Sequence, residues 1–156
     1  MDEATLDQII DKIANNESFE NVEFSTNMFD SLYHEAYHYY QNGRYEQSKS
    51  VFRFLTFFDL KNAKFWLGLG AADQMLKNYE EAIYSYKVAL VLNENNPHVY
   101  FLIADCYIAQ EKIDDAMHIL KNVEEAFGQE EKYKKLISHV ALIRQSWETQ
   151  TIGEFR

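Results

Sequence analysis

One run of residues in this sequence has the types and the spacing of a zinc-dependent hydrolase centre. His34, Glu35 and His38 match the pattern H-E-x-x-H within a stretch that predicts a helix. Two imidazoles one turn apart can bind Zn²⁺, and the glutamate can then act as general base toward a metal-bound water. No Gly-x-x-His follows downstream to supply a third ligand, and so short a match arises readily by chance. We therefore expect no catalytic metal, no cofactor and no enzymatic activity.

The other residues that could carry chemistry are isolated from one another. Cys106 falls inside a predicted helix without a paired base, so it is interpreted as a small buried apolar residue. Three isolated histidines are interpreted as surface or packing residues: His98, His118 and His139. A short basic run is interpreted as a solvated helix face: Lys132, Lys134 and Lys135. No glycine-rich phosphate loop is present.

Composition narrows the class of protein further. The 156 residues are 47% apolar and 15% aromatic with one proline, which favours a globular, mostly helical chain. A net charge of -10 argues against nucleic acid and against an anionic membrane surface as partners. The N-terminus resembles no secretory leader, and no apolar run is long enough to enter a membrane. With one cysteine, no internal disulfide can form, which favours a reducing compartment.

A repeat pattern explains where the motif residues would lie. Between residues 63 and 97, small and aromatic residues follow the 34-residue tetratricopeptide pattern of two antiparallel helices. Small side chains are expected where the helices cross, and Asp73 stands where the pattern prefers Tyr. The matching residues are Trp66, Leu69, Gly70, Ala82, Tyr86, Ala89 and Pro97.

The same pattern recurs one repeat earlier and one repeat later. The small position of Gly70 corresponds to Ala36 and Ala104, and the position of Asp73 corresponds to Tyr39 and Tyr107. Such a period predicts an all-α tetratricopeptide-repeat solenoid whose helix pairs bury their apolar faces against neighbours. We expect a repeat domain at 27–148, with repeats 29–62, 63–96 and 97–130 and a capping helix at 130–148.

The two ends of the chain lie outside these repeats. An acidic amphipathic helix with a hinge is expected over 1–26, and two interpretations of its apolar stripe stay open. The stripe either caps the domain or mediates self-association, and it consists of Leu6, Ile9, Ile10 and Ile13. Residues 149–156 fit no repeat position, and the last four of them are interpreted as a cloning remnant.

An aromatic row is the most informative candidate site. In stacked helix pairs, positions 5, 9 and 12 of each first helix line the concave face. These positions are Tyr33, Tyr37, Tyr40, Leu67, Ala71, Gln74, Phe101, Asp105 and Ile108, with Lys64 as the one evident base. We expect that none of the three tyrosines is needed for the core of its own repeat. They either pack on the N-terminal helix or grip an extended peptide, a task that suits a ring with a hydroxyl.

The residues of the first two repeats also resemble a known family. The matching stretches are Tyr33-x-x-x-Tyr37-x-x-Tyr40-x-x-Gly43-Arg44, Phe52-Arg53-Phe54-Leu55, Asp59 and Phe65-Trp66-Leu67-Gly68-Leu69-Gly70-Ala71. They resemble the class II chaperones of bacterial type III secretion, small acidic tetratricopeptide proteins that hold hydrophobic translocators before export. The resemblance implies a cytoplasmic protein of a Gram-negative bacterium and a homodimer formed through the N-terminal helix. It also implies a concave groove that binds an extended N-terminal segment of the translocator.

A general tetratricopeptide adaptor is the alternative function. An adaptor that grips the acidic C-terminus of a heat-shock chaperone needs several Lys, Arg or Asn side chains in its groove. The predicted groove offers Tyr33, Tyr37 and Asp105 instead, with Lys64 as the single base. The sequence therefore favours an export chaperone that binds apolar cargo.

Overall fold

The computed structural model describes residues 3–19, 26–92 and 96–154, and these residues are helical apart from short connections. They form two compact units, Met1–Asn93 and Glu94–Arg156. The first unit contains α1 (Glu3–Asn15), α2 (Thr26–Gln41), α3 (Tyr45–Phe58), α4 (Ala63–Met75) and α5 (Tyr79–Leu92). The second contains α6 (Pro97–Ala109), α7 (Ile113–Phe127) and α8 (Lys134–Glu154), with a 3-10 turn at Glu131–Tyr133. The predicted all-α repeat class is confirmed, whereas the single domain at 27–148 stays a prediction.

The 34-residue period is clearest in the turns that join the two helices of each pair. The second residue after the first helix of each pair has a left-handed backbone, with φ of 73°, 64° and 62° at Gly43, Lys77 and Glu111. In each turn the next amide donates to the carbonyl five residues earlier, at 2.9 Å. These bonds join Arg44 to Tyr39, Asn78 to Asp73, and Lys112 to Tyr107. Only the first turn uses glycine, which adopts this conformation at the lowest cost.

Two glycines place α4 between its neighbours in the first unit. A Cβ at Gly70 would lie 2.7 Å from the Tyr86 ring of α5, so glycine is required for this close crossing. A Cβ at Gly68 would overlap the Phe52 ring of α3. The sequence predicted a small residue at the helix crossing for Gly70, whereas the packing role of Gly68 was not predicted. Alternate residues of α4 therefore admit one aromatic ring from each side.

The N-terminal helix belongs to the core of the first unit. Ile9 and Ile13 are buried, and Leu6 and Ile10 pack against the same cluster of α2 and α3 side chains. The stripe predicted for capping or self-association is thus already occupied within one chain. The six residues before α2, at 20–25 of the predicted hinge, lie outside the described residues.

The second unit is held by a smaller core and an ion pair. Ala104, Leu120 and Val140 come together from α6, α7 and α8. Arg144 of α8 donates from Nε to Glu124 Oε2 of α7 at 2.7 Å. This ion pair and the apolar cluster fix α8 against α7.

The last helix is longer than the sequence predicted. We expected the capping helix to end at 148, but α8 continues to Glu154 and includes Gly153. No proline interrupts residues 149–154, and the hydroxyl of Thr149 donates back to the carbonyl oxygen of Gln145 at 3.0 Å, as threonine hydroxyls do inside helices. A single glycine near a helix end costs only about 1 kcal/mol and did not justify an earlier boundary.

Each unit contains one of the two tryptophans. Trp66 on α4 is half-buried, and its indole N–H donates to the carbonyl oxygen of Leu60 at 3.0 Å. Its ring also meets the Tyr84 ring at 6.1 Å between centroids. Trp147 is half-buried on α8.

Candidate functional site

The tyrosines of α2 divide between two faces of that helix. Tyr37 is 49% exposed, whereas Tyr39 is 8% exposed and belongs to the core. Tyr39 is thus on the packing face of α2, whereas the place of Tyr37 in a peptide-binding groove stays a prediction. Tyr39 lies beside the N-terminal helix, because it lines a cavity of about 230 Å³ together with Ile10 and Ile13 of α1.

Tyr33 packs against the core of the first unit, a role that the sequence did not predict for it. Its ring lies 5.9 Å from the Phe52 ring and 6.0 Å from the Phe65 ring, and it packs against the core cluster. The expectation that none of the three tyrosines is needed for the core is wrong for Tyr33. The packing of Tyr33 depends on Gly68. Because Gly68 has no side chain, the Phe52 ring fits against α4, where it meets the Tyr33 ring edge-on.

Tyr40 is half-buried at the other end of the row. Its ring meets the Tyr45 ring edge-on at 5.4 Å between centroids. Burial raises the pKa of the Tyr40 phenol, with smaller effects in the same direction from Tyr45 and Tyr37. The hydroxyl of Tyr40 is therefore a hydrogen-bond donor throughout the neutral pH range.

The row on α4 lies next to α2 within the first unit. Lys64 is exposed, while Leu67 and Ala71 are half-buried. Gln74 is committed to α5, because its Oε1 accepts a hydrogen bond from the Tyr86 hydroxyl at 2.7 Å. Of the four predicted residues on α4, Lys64, Leu67 and Ala71 are the better candidates for contact with a ligand.

The row on α6 belongs to the second unit. Phe101 and Ile108 are half-buried against its core, and Asp105 is exposed. Burial, assisted by the charge of Asp105, raises the pKa of the Cys106 thiol to about 12. Cys106 is fully buried, as predicted for an unreactive core residue.

The H-E-x-x-H residues take part in local contacts on α2. Glu35 Oε1 lies 3.8 Å from His38 Nδ1, and His34 lies against the ring of Tyr33. After burial, interaction with Glu35 is the main reason that the pKa of the Tyr39 phenol is raised. In the described part of the chain no three acidic, histidine or cysteine side chains are grouped to hold a metal ion. The absence of a catalytic zinc stays a prediction.

A buried ion pair was not predicted. Asp73 is 2% exposed, and its Oδ1 lies 2.6 Å from Lys49 Nζ of α3. The same oxygen accepts a hydrogen bond from Asn78 Nδ2 at 3.2 Å. The available signal was a charged residue at a repeat position that prefers tyrosine, where burial requires a partner.

An apolar surface lies on the side of α3 that faces α1, and it was not predicted from the sequence. A cavity of about 510 Å³ lies between the two helices, lined by Ile13, Phe19, Phe54 and Phe58 among others. Phe57 at its edge is 77% exposed. The dimerisation role of the α1 stripe itself stays a prediction, since Ile9 and Ile13 are buried within one chain.

None of the described helices is both long enough and apolar enough to cross a membrane.

Comparisons with known proteins agree with this geometry. A tetratricopeptide-repeat family model matches residues 74–140. The low calcium response locus protein H of Yersinia pestis is 30% identical over 119 residues, which cover 76% of this chain and 71% of that protein. The chaperone protein SicA of Salmonella dublin is 29% identical over 117 residues, which cover 75% of this chain and 71% of that protein.

A solved structure gives the same result for the fold. The type III secretion chaperone SycD of Yersinia enterocolitica, crystallised in complex with a peptide of the translocator YopD, superposes with a TM-score of 0.74. The identity is 28%, and the match covers 83% of this chain and 99% of that one.

Helix pairs that recur with this turn period define a tetratricopeptide-repeat protein. Within that class, the chain belongs to the family of low calcium response locus protein H, the class II translocator chaperones of type III secretion.

Proposed function

We propose that this protein is a cytoplasmic, non-enzymatic chaperone that binds an extended segment of a hydrophobic translocator before export. The observation that carries the proposal is the pairing of exposed Tyr37 with buried Tyr39 on one helix. Tyr39 stabilises the repeat, whereas Tyr37 holds aromatic area at the surface without any role in the core. Exposed aromatic side chains of this kind are characteristic anchors of protein interfaces.

The named relatives support the same function. SicA is a chaperone, and SycD is a chaperone whose complex with a translocator peptide is known. An extended apolar peptide suits the chemistry of the rows, since Leu67 and Ala71 offer half-buried apolar surface on α4, which contacts the tyrosine-bearing helix α2. The net charge of -10 keeps such a carrier soluble when its cargo is prone to aggregate.

The test compares tyrosines that differ in burial. The probes are fluorescein-labelled 15-residue peptides that tile the N-terminal regions of the translocators exported by the same secretion system. Tyr37→Ala and Tyr40→Ala should weaken binding of the best probe by about tenfold, the effect of losing one interface anchor. Tyr84→Ala is the matched control, because Tyr84 is 64% exposed on α5 and lies outside the predicted rows.

Thermal melting separates binding from folding in the same set of variants. Tyr39→Ala should lower the melting temperature strongly, because it removes a core side chain. Tyr37→Ala should melt close to the wild type. Normal probe binding by both Tyr37→Ala and Tyr40→Ala would contradict the proposal, and preference for acidic C-terminal peptides of heat-shock chaperones would favour an adaptor.

A further inference from the structure

The last helix carries a row of exposed residues in register with the predicted groove. Adding one 34-residue repeat to positions 101, 105 and 108 gives Lys135, His139 and Leu142 on α8. We define the α8 row as Lys135, Ser138, His139 and Leu142, all of which are exposed. The 3.6-residue helical period places them on one face, opposite the buried Val140.

Direct contact joins this row to the groove row of α6. The His139 ring lies 5.6 Å from the Phe101 ring, with an angle of 49° between their planes. Both rings belong to the second unit. Leu142, one turn further along α8, is 65% exposed although it is a large apolar side chain. The α6 row, which also carries the exposed carboxylate of Asp105, therefore continues onto α8 as one surface with aromatic and aliphatic parts.

The charge of the row is opposite to that of the whole chain. The protein has 25 acidic and 15 basic residues, yet the two ionisable side chains of the α8 row are a lysine and a histidine. Neighbouring cations are already paired: Lys132 with Glu130 at 3.1 Å, Lys134 with Glu131 at 3.1 Å, and Arg144 with Glu124. Lys135 is exposed and makes no ion pair with any residue in the part of the chain that the structure describes.

We propose that the α8 row is a subsite for a carboxylate-bearing part of the cargo, adjacent to an apolar anchor. Leu142 and Phe101 contact the apolar side chain, and Lys135 binds an Asp or Glu of the same peptide. The inference rests on the proposed chaperone function and adds to it a chemical preference: the segment bound at this end of the groove is apolar and acidic. An acidic residue in the cargo is thereby selected by a chain that otherwise repels it.

The experiment uses the full chain and the best-binding fluorescein-labelled translocator peptide identified above. Two versions of that peptide are compared, the natural one and one with each Asp and Glu replaced by the corresponding amide. Lys135→Glu should weaken binding of the natural peptide by about tenfold and change binding of the amide version far less. Leu142→Ser should weaken both versions to a similar extent.

Lys121→Glu is the matched control. It makes the same charge change at an exposed position of α7, where Lys121 pairs weakly with Glu125 at 3.9 Å. We expect less than a twofold effect on either peptide. Because the substituted residues are all exposed, the variants should keep the wild-type melting temperature, and light scattering should show an unchanged mass.

The outcomes distinguish the subsite from the proposed function. If Lys135→Glu and Leu142→Ser bind both peptides as the wild type does while Tyr37→Ala weakens binding, the chaperone function stands and the α8 subsite is wrong. A fall in mass caused by Leu142→Ser would instead make the row a contact between two copies of the chain. If the wild type binds none of the peptides, the proposed function fails, and the subsite fails with it.

Discussion

Lys49 and Asp73 form an ion pair across the junction of α3 and α4, with Nζ 2.6 Å from Oδ1. Asp73 occupies the position where the other two repeats carry Tyr39 and Tyr107. A polar contact therefore replaces aromatic packing at one of three equivalent places. Because the Asp73 carboxylate is almost completely buried, its charge must be compensated by Lys49 and by the hydrogen bond from Asn78.

Removing the lysine should destabilise the first unit. Lys49→Met leaves a buried carboxylate without its cation and should lower the free energy of unfolding by about 3 kcal/mol. Urea denaturation measures the change. The double variant Lys49→Met with Asp73→Leu should recover most of the loss, and Lys121→Met should cost less than about 0.5 kcal/mol because its pair is exposed. An equal loss in the single and double variants would contradict a role for the charge itself.

The crossing of α4 and α5 predicts a pairwise effect between Gly70 and Tyr86. Gly70→Ala places a methyl group 2.7 Å from the Tyr86 ring and should destabilise the protein by about 1–3 kcal/mol. In a Tyr86→Leu background the same substitution should cost much less, since the ring is gone. A double-mutant cycle on urea midpoints measures this coupling, and additive effects would rule out the close contact as the cause.

Burial of the α1 stripe predicts that it contributes to stability within one chain. Ile9→Ala and Ile13→Ala should each lower the free energy of unfolding by about 2–4 kcal/mol. Asp11→Ala, on the exposed side of α1, is the control and should have little effect. Light scattering on the same variants tests self-association separately. A shift to monomer with unchanged melting would mean that the stripe acts between chains instead.

The buried thiol predicts a slow reaction with thiol reagents. With a pKa of about 12, Cys106 is ionised in about one molecule in ten thousand at pH 8, and burial also blocks access. The folded protein should react with a disulfide reagent at least a hundredfold more slowly than the urea-unfolded chain. Equal rates would show that the thiol is accessible in the folded state.

The same pKa has a consequence for stability in alkaline solution. Because the pKa is higher in the folded state, the unfolded chain releases its proton first, and stability falls as pH rises from about 9 toward 12. The raised pKa of Tyr39 acts in the same direction. Cys106→Ala should therefore make the unfolding free energy less dependent on pH between 9 and 11.

Metal analysis tests the H-E-x-x-H motif directly. Protein purified without a histidine tag should contain much less than one zinc per chain. The Glu35→Ala variant should contain equally little zinc and should melt close to the wild type. One tightly bound zinc, together with peptidase activity that disappears in Glu35→Ala, would require a different function.

The sequence predicted those features that depend on period and side-chain size. The helix pairs, the crossing at Gly70 and the opposite orientation of Tyr37 and Tyr39 follow from spacing alone. The Lys49–Asp73 pair could not be predicted, because it depends on how two long side chains meet across a helix junction. The partial burial of Tyr33 depends on the space above Gly68, which a one-dimensional pattern does not contain.

The positions of Trp66 and Trp147 have a spectroscopic consequence. One indole lies in each compact unit, and the chain has no third. Replacing either by phenylalanine leaves a protein whose tryptophan fluorescence, excited selectively over that of the tyrosines, reports on one unit alone. Denaturation followed by emission can then distinguish cooperative unfolding of the chain from sequential loss of its two halves, without an attached dye. The same emission can reveal which half responds when a cargo peptide is added.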